Sequence, residues 1–174
     1  MADGEDATLV AAARNGDREA FGELYARYGR LVHGVLLSRL PRHEVDDLVQ
    51  DVFVTALRRL RTLRDPAAFG AWLAAIARNR ATDHHRRGPG PARPAPAPDE
   101  ADPGKDPPPA GSLAVLSLIR SLPEAYRETL MLRLVEGMTG PEIALRTGLT
   151  HGSVRVNLHR GMKLLREALG EDRP

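Results

Sequence analysis

Between Gly88 and Gly111 the sequence reads GPGPARPAPAPDEADPGKDPPPAG, a stretch without one apolar side chain larger than alanine. Such a segment cannot bury enough surface to offset the entropy lost on ordering, so the chain must fold on either side of it. It reads as a linker over 88–111 that separates two domains, at 7–87 and 112–170. Its reach is roughly 27 Å as a flexible coil and roughly 74 Å as extended polyproline. The longer figure approaches two turns of duplex DNA.

On both sides the apolar residues recur at helical spacing. Phe21, Leu24, Tyr25, Tyr28, Leu31, Val32, Val35 and Leu36 form one such series, and Val45, Leu48, Val49, Val52, Phe53, Ala56, Leu57 and Leu60 another. A third helix is expected where Asp65-Pro66 supplies an N-cap and a proline at the first helical position, continuing through Phe69, Trp72, Leu73, Ile76 and Ala77. After the linker, Ser121-Leu-Pro-Glu124 and Thr139-Gly-Pro-Glu142 both have capping-box spacing, and Gly137 and Gly148 are natural helix stops. The last helix is expected from about Gly152 to Leu169, with Val154, Leu158, Met162, Leu165 and Leu169 on one buried face. No alternating pattern indicates a strand. The fold class is therefore all-α: two small helical domains on a flexible proline-rich tether.

Charge is segregated, although 25 basic and 23 acidic residues nearly cancel. Residues 76–93 carry Arg78, Arg80, Arg86, Arg87 and Arg93 against Asp83 alone, whereas residues 99–106 carry Asp99, Glu100, Asp102 and Asp106 against Lys105. The first stretch suits phosphate and the second repels it. The absence of cysteine excludes disulfides and thiolate zinc sites, which makes a reducing cytoplasm the expected compartment. The acidic start Met1-Ala-Asp-Gly-Glu-Asp does not resemble a signal peptide, and no segment approaches the ~20 apolar residues of a membrane span.

Residues 139–161 read as a short helix (Pro141 to Thr147), a turn (Gly148-Leu-Thr150) and a longer helix, an arrangement that seats its second helix in the DNA major groove. Opposite the core stripe of that second helix stand Arg155, Val156, His159, Arg160, Lys163 and Arg166. By type, Arg155 and Arg160 suit bidentate contacts to guanine, each worth ~1–3 kcal/mol of discrimination. Lys163 and Arg166 suit phosphate, which adds salt dependence in place of specificity.

In the first domain, Asp46, Asp47, Gln50 and Asp51 share the polar face of a helix whose other side is apolar, and Arg58, Arg59, Arg61 and Arg64 follow. An acidic end and a basic end on one element fit a protein-docking surface beside a nucleic-acid path. The third helix adds Arg78-Asn79-Arg80 and Asp83-His84-His85-Arg86-Arg87. Adjacent histidines on a helix point about 100° apart, so His84 and His85 are poor metal ligands and phosphate contact is the better reading; no metal is expected. Phe69 and Trp72 are candidates for base stacking, but their spacing favours the core.

Taken together, Asp46-Asp47-Leu48-Val49-Gln50-Asp51-Val52-Phe53, then Ala71-Trp72-Leu73-Ala74-Ala75-Ile76-Ala77-Arg78-Asn79, then Tyr126-Arg127 through Glu136-Gly137 to Glu142-Ile143-Ala144 resemble the extracytoplasmic-function (ECF) group of the sigma-70 family of RNA polymerase sigma factors. The resemblance covers almost the whole chain outside the linker. It implies a non-enzymatic initiation subunit without cofactor, with 7–87 as region 2 and 112–170 as region 4. On this resemblance Asp46, Asp47, Gln50 and Asp51 dock on the clamp helices of the polymerase beta-prime subunit. Arg61, Thr62, Leu63, Arg64 and Asp65 receive a flipped −10 base, and Arg78, Asn79, Arg86 and Arg87 guide the opening strands. Arg155, Val156, His159, Arg160 and Lys163 read the −35 element, and the apolar side of the same module meets the beta flap. The linker acids stand in for nucleic-acid charge in the polymerase cleft. An anti-sigma factor is an expected partner, and the expected location is the cytoplasm, on the nucleoid when active. Two departures stand out: Val156-Asn157 replaces the Ser-Arg pair common in the family, which bears on −35 preference, and Leu57 replaces a frequent tryptophan, which bears on packing.

Two other functional classes fit less well. A stand-alone repressor or activator would use the same helix-turn-helix on palindromic half-sites and would not bind polymerase. An enzyme would need more than Asp46, Asp47 and Asp51 on an exposed face, because no histidine or serine is placed as their partner.

Overall fold

The computed structural model describes residues 2–88 and 110–170. Eight α-helices follow one another among these residues: α1 (Ala2–Arg14), α2 (Arg18–Leu37), α3 (Arg42–Arg59), α4 (Phe69–Arg87), α5 (Ala110–Ser121), α6 (Glu124–Leu134), α7 (Gly140–Thr147) and α8 (His151–Leu169). Two single 3-10 turns, Leu60–Thr62 and Pro66–Ala68, bridge α3 to α4. The chain is all-α in its described parts. Most of the expected linker, with its four acids, lies outside the described residues, and α5 begins at Ala110, within the span assigned to the linker.

The first lobe, α1 to α4, is organised around α2. Asp17 caps α2 by accepting from the Glu19 and Ala20 amides at 2.9 and 3.0 Å. Leu24, Leu31, Val32, Val35 and Leu36 of α2 are buried against Val45, Val52 and Phe53 of α3 and Phe69, Leu73, Ala74 and Ala77 of α4. Alanines on α4 let its backbone come close to both neighbours, and Phe69 meets Tyr28 edge to face at 5.0 Å. Helix α1, which carries only a short apolar stripe, packs through Val10 and Ala13 on α2 and on the turn at Pro66–Ala68.

The second lobe, α5 to α8, buries Ile119, Leu130, Met131, Met138, Ile143, Val154 and Leu165 in one core. Several local expectations are corrected. Ser121 closes α5 with its hydroxyl on the Leu118 carbonyl at 2.7 Å, so it does not cap α6, which starts after Pro123 without a side-chain cap. Asp65 does accept from the Ala67 amide at 3.0 Å, but the turn it opens is 3-10, and the α-helix begins at Phe69. Leu169 is 43% exposed, because α8 outruns the core at its last turn.

The two lobes also do not stand apart on a tether. Helix α2 packs on α6, and α4 on α7. Two glycines allow this approach. A Cβ at Gly34 would lie 2.6 Å from Cδ2 of Leu132, and one at Gly70 would lie 2.5 Å from the carbonyl oxygen of Arg146.

Candidate nucleic-acid and polymerase-binding surfaces

The helix-turn-helix is locked at three points. Thr139 Oγ1 accepts from the Glu142 amide at 3.3 Å while Glu142 Oε2 accepts from the Thr139 amide at 3.2 Å, a reciprocal capping box. Gly148 ends α7 at φ +75°, a left-handed conformation that a side chain would resist, and Leu149 donates its amide to Thr147 Oγ1 at 3.3 Å. Thr150 then opens α8 by accepting from the Ser153 amide at 3.1 Å. Fixed in this way, α8 turns Val154 and Leu165 inward and leaves Arg155, Val156, His159, Arg160, Lys163 and Arg166 exposed. Lys163 pairs with Glu167 at 3.9 Å, while Arg155, His159 and Arg160 form no ion pair with the described residues.

In the first lobe Asp46, Asp47 and Gln50 are exposed along α3. Beside them lies an apolar groove of about 380 Å³ lined by Phe21, Tyr25, Gln50, Phe53, Val54 and Leu57. Leu57 is 50% exposed, so the replacement noted at this position alters a surface, not core packing. An apolar groove with an acidic rim is suited to a protein partner. The helical spacing hid this half of the surface, since Tyr25 and Leu57 fall on the same periodic stripe as buried residues. Asp51 faces elsewhere: it pairs with Arg80 at 2.5 Å and lines a polar groove with Arg58, Arg59 and Asn79.

The loop expected to take a base is built unevenly. Arg61, Thr62, Arg64 and Asp65 are exposed, but Leu63 is only 6% exposed and anchors the loop in the core instead of facing solvent. Thr62 Oγ1 donates to the Arg59 carbonyl at 2.7 Å. Arg14 of α1 donates Nε to the Leu60 carbonyl at 3.2 Å and Nη2 to the Leu63 carbonyl, holding both ends of the 3-10 turn. Sequence reasoning missed Arg14, because 46 residues separate it from the nearer carbonyl.

The residues of α4 expected along the strand path are divided. Asn79, Arg86 and Arg87 are exposed, with Arg86 on Asp83 at 2.7 Å. His84 contacts Glu44 at 2.9 Å and His85 the Arg39 carbonyl at 3.0 Å. No cluster of three or more potential metal ligands occurs among the described residues. Arg78 instead crosses to the second lobe, donating Nε and Nη2 to Glu128 at 3.0 and 2.7 Å. That paired carboxylate raises the Arg78 guanidinium above its ordinary pKa, against the opposing effect of burial. Arg39 Nη2 reaches the same Glu128 at 3.0 Å and Glu124 at 2.6 Å. Nearby, His33 Nδ1 meets Glu136, Arg30 donates to the Glu136 carbonyl at 3.1 Å, and the Arg146 guanidinium lies 5.0 Å over the Tyr28 ring.

Comparison with known proteins agrees with this two-module layout. Residues 24–88 match Sigma-70 region 2, and residues 112–165 match Sigma-70 region 4. The chain is 34% identical to the RNA polymerase sigma factor CarQ of Myxococcus xanthus, over 91% of this chain and 94% of that one. It is 31% identical to the ECF RNA polymerase sigma-E factor of Escherichia coli K12, over 92% of each. Among solved structures it resembles CnrH in complex with the cytosolic domain of CnrY, at TM-score 0.66 and 30% identity, covering 97% of this chain and 99% of that one. The chain belongs to the sigma-70 family of RNA polymerase sigma factors, in its extracytoplasmic-function group. Among the described residues no helix is long and apolar enough to cross a membrane.

Proposed function

We propose that this chain is a non-catalytic initiation subunit that directs core RNA polymerase to a restricted set of promoters. The observation that carries this reading is that one chain joins both modules and presents Arg155, His159 and Arg160, exposed, on the second helix of a capped helix-turn-helix. In this reading the second lobe takes the −35 element through Arg155, Val156, His159, Arg160 and Lys163. The first lobe docks on the beta-prime clamp helices through Asp46, Asp47 and Gln50 with the apolar groove behind them, and the second lobe meets the beta flap through its apolar side. Arg61, Thr62, Arg64 and Asp65 form the rim that receives a −10 base, while Leu63 and Arg14 hold that rim in shape. Asp51, Asn79, Arg80, Arg86 and Arg87 border the path of the strand. The linker, expected over 88–111, spans the distance between the two elements. Function belongs to the cytoplasm, on promoter DNA, and an anti-sigma factor is the natural regulator of such a subunit.

Base stacking averages ~1.4 kcal/mol per step, so opening several pairs costs more than one short loop and a few arginines recover. Polymerase therefore shares the work by holding both modules on one promoter at high effective concentration. Co-purification with core polymerase followed by run-off transcription on genomic fragments tests the assignment. Replacing Asp47 and Gln50 with alanine should reduce polymerase binding. Replacing Arg155 and Arg160 should leave polymerase binding intact and abolish promoter choice. Binding to palindromic duplexes with no affinity for polymerase would instead identify a stand-alone regulator.

A further inference from the structure

Arg39 lies just past the end of α2, with its side chain only 8% exposed. Its Nη2 is shared between Glu124 and Glu128 of the second lobe, and its Nε is buried without a hydrogen-bond partner. Arg78 reaches Glu128 from α4 with two nitrogens. Two guanidiniums from separate segments of the first lobe therefore converge on one carboxylate of the second, and one donor is left over. A buried ion pair adds little to packing that apolar side chains would not supply, so a cluster of this kind needs another reason. The planar fork of arginine fits a phosphate as well as a carboxylate, and the two non-bridging oxygens of a nucleic-acid phosphate can take the place of the two Glu128 oxygens. The pair is also continuous with the basic end of α4, because His85 Nε2 contacts the Arg39 carbonyl at 3.0 Å and Arg86 and Arg87 follow directly.

We propose that Arg39 and Arg78 form a binding site for a nucleic-acid phosphate, and that Glu128 occupies this site as long as the two lobes are together. The proposal rests on the reading of the first lobe as a DNA-contacting module, and adds Arg39 to it. Closure and strand binding at this point are mutually exclusive. By linkage, closure weakens strand binding by the same factor by which a bound strand favours opening.

The test uses the full chain and a fluorescently labelled single-stranded DNA 20-mer, with anisotropy measured over a series of salt concentrations. Glu128→Gln removes the competing carboxylate. Gly34→Leu is expected to separate the lobes by a different route, since a Cβ there would lie 2.6 Å from Leu132 and 2.8 Å from Glu136 of the second lobe, and so serves if Glu128→Gln misfolds. Both variants should bind the oligonucleotide about tenfold more tightly than the parent chain, the size expected of a charge-assisted contact. Adding Arg39→Gln to either should remove that gain and reduce the salt slope by about 0.7, one single-strand phosphate contact. If Arg39→Gln leaves the gain untouched, the site is overturned. Run-off transcription with core polymerase separates the two kinds of failure. A chain that initiates normally while Arg39→Gln leaves its oligonucleotide binding unchanged overturns the site and leaves the initiation-factor reading standing. A chain that neither initiates nor binds the oligonucleotide in any form overturns the initiation-factor reading and the site with it.

Discussion

Arg155 and Arg78 illustrate two ways a guanidinium is held in this molecule. Arg155 stands on α8 exposed and without an ion pair among the described residues, whereas Arg78 is gripped by Glu128 from 50 residues further along the chain. The first situation follows from helical periodicity and was legible as soon as Val154, Leu158 and Leu165 marked the opposite face. The second depends on which lobe surface meets which, and no local spacing encodes that. Replacing Arg155 with alanine should cost about 1–3 kcal/mol at a single base pair of the −35 element, read as flattened discrimination among single-base promoter variants in run-off transcription. Leu63 is a contrasting case, a loop residue in a run of charged neighbours that the fold turns inward. Leu63→Ala should lower the unfolding free energy by about 2–5 kcal/mol, measured by urea titration, without adding or removing a charge near the DNA path.

At the level of elements, the helix-turn-helix of α7 and α8 was the most readable part of the chain, because Thr139, Glu142 and Gly148 each have one local task with a known residue preference. Thr139→Ala should cost about 1 kcal/mol of stability by removing the capping box, with the effect confined to the second lobe in hydrogen exchange. The start of α4 and the ends of α5 were less readable. A Ser-x-x-Glu pattern suits a helix start, but Ser121 sits at a helix end where its hydroxyl bonds back to Leu118. Helix α1 was missed altogether, since Val10 and Ala13 gain their meaning only from the surface they cover. Its contribution is the brace from Arg14 to the carbonyls of Leu60 and Leu63. Arg14→Ala should speed amide exchange across residues 60–65 by about tenfold, consistent with losing roughly 1–1.5 kcal/mol of hydrogen bonding, while α8 is unaffected.

On the scale of the whole molecule, the sequence indicated two helical bodies and did not indicate that they touch. The linker composition set their independence as the expectation, yet Gly34 and Gly70 lack the Cβ atoms that would collide with the second lobe where α2 and α4 meet it. A glycine within a helix is ambiguous in sequence, being equally a weak spot and a point of close approach. A fully compact chain of this length has a radius of gyration of roughly 16 Å. In small-angle scattering, Gly34→Leu should give a larger radius than the parent chain under the same conditions, while circular dichroism shows unchanged helix content.

The order of the helices along the chain also has a consequence during synthesis. Everything that builds the first lobe, including Arg39 and Arg78, has been translated by Gly88, and the stretch from there to Glu128 takes the ribosome roughly 2–8 s at about 5–20 residues per second. Helical units of this size fold in microseconds to milliseconds. Each newborn molecule therefore passes through an interval in which its leading half has left the ribosome and the carboxylate that will later cover its arginines has yet to emerge.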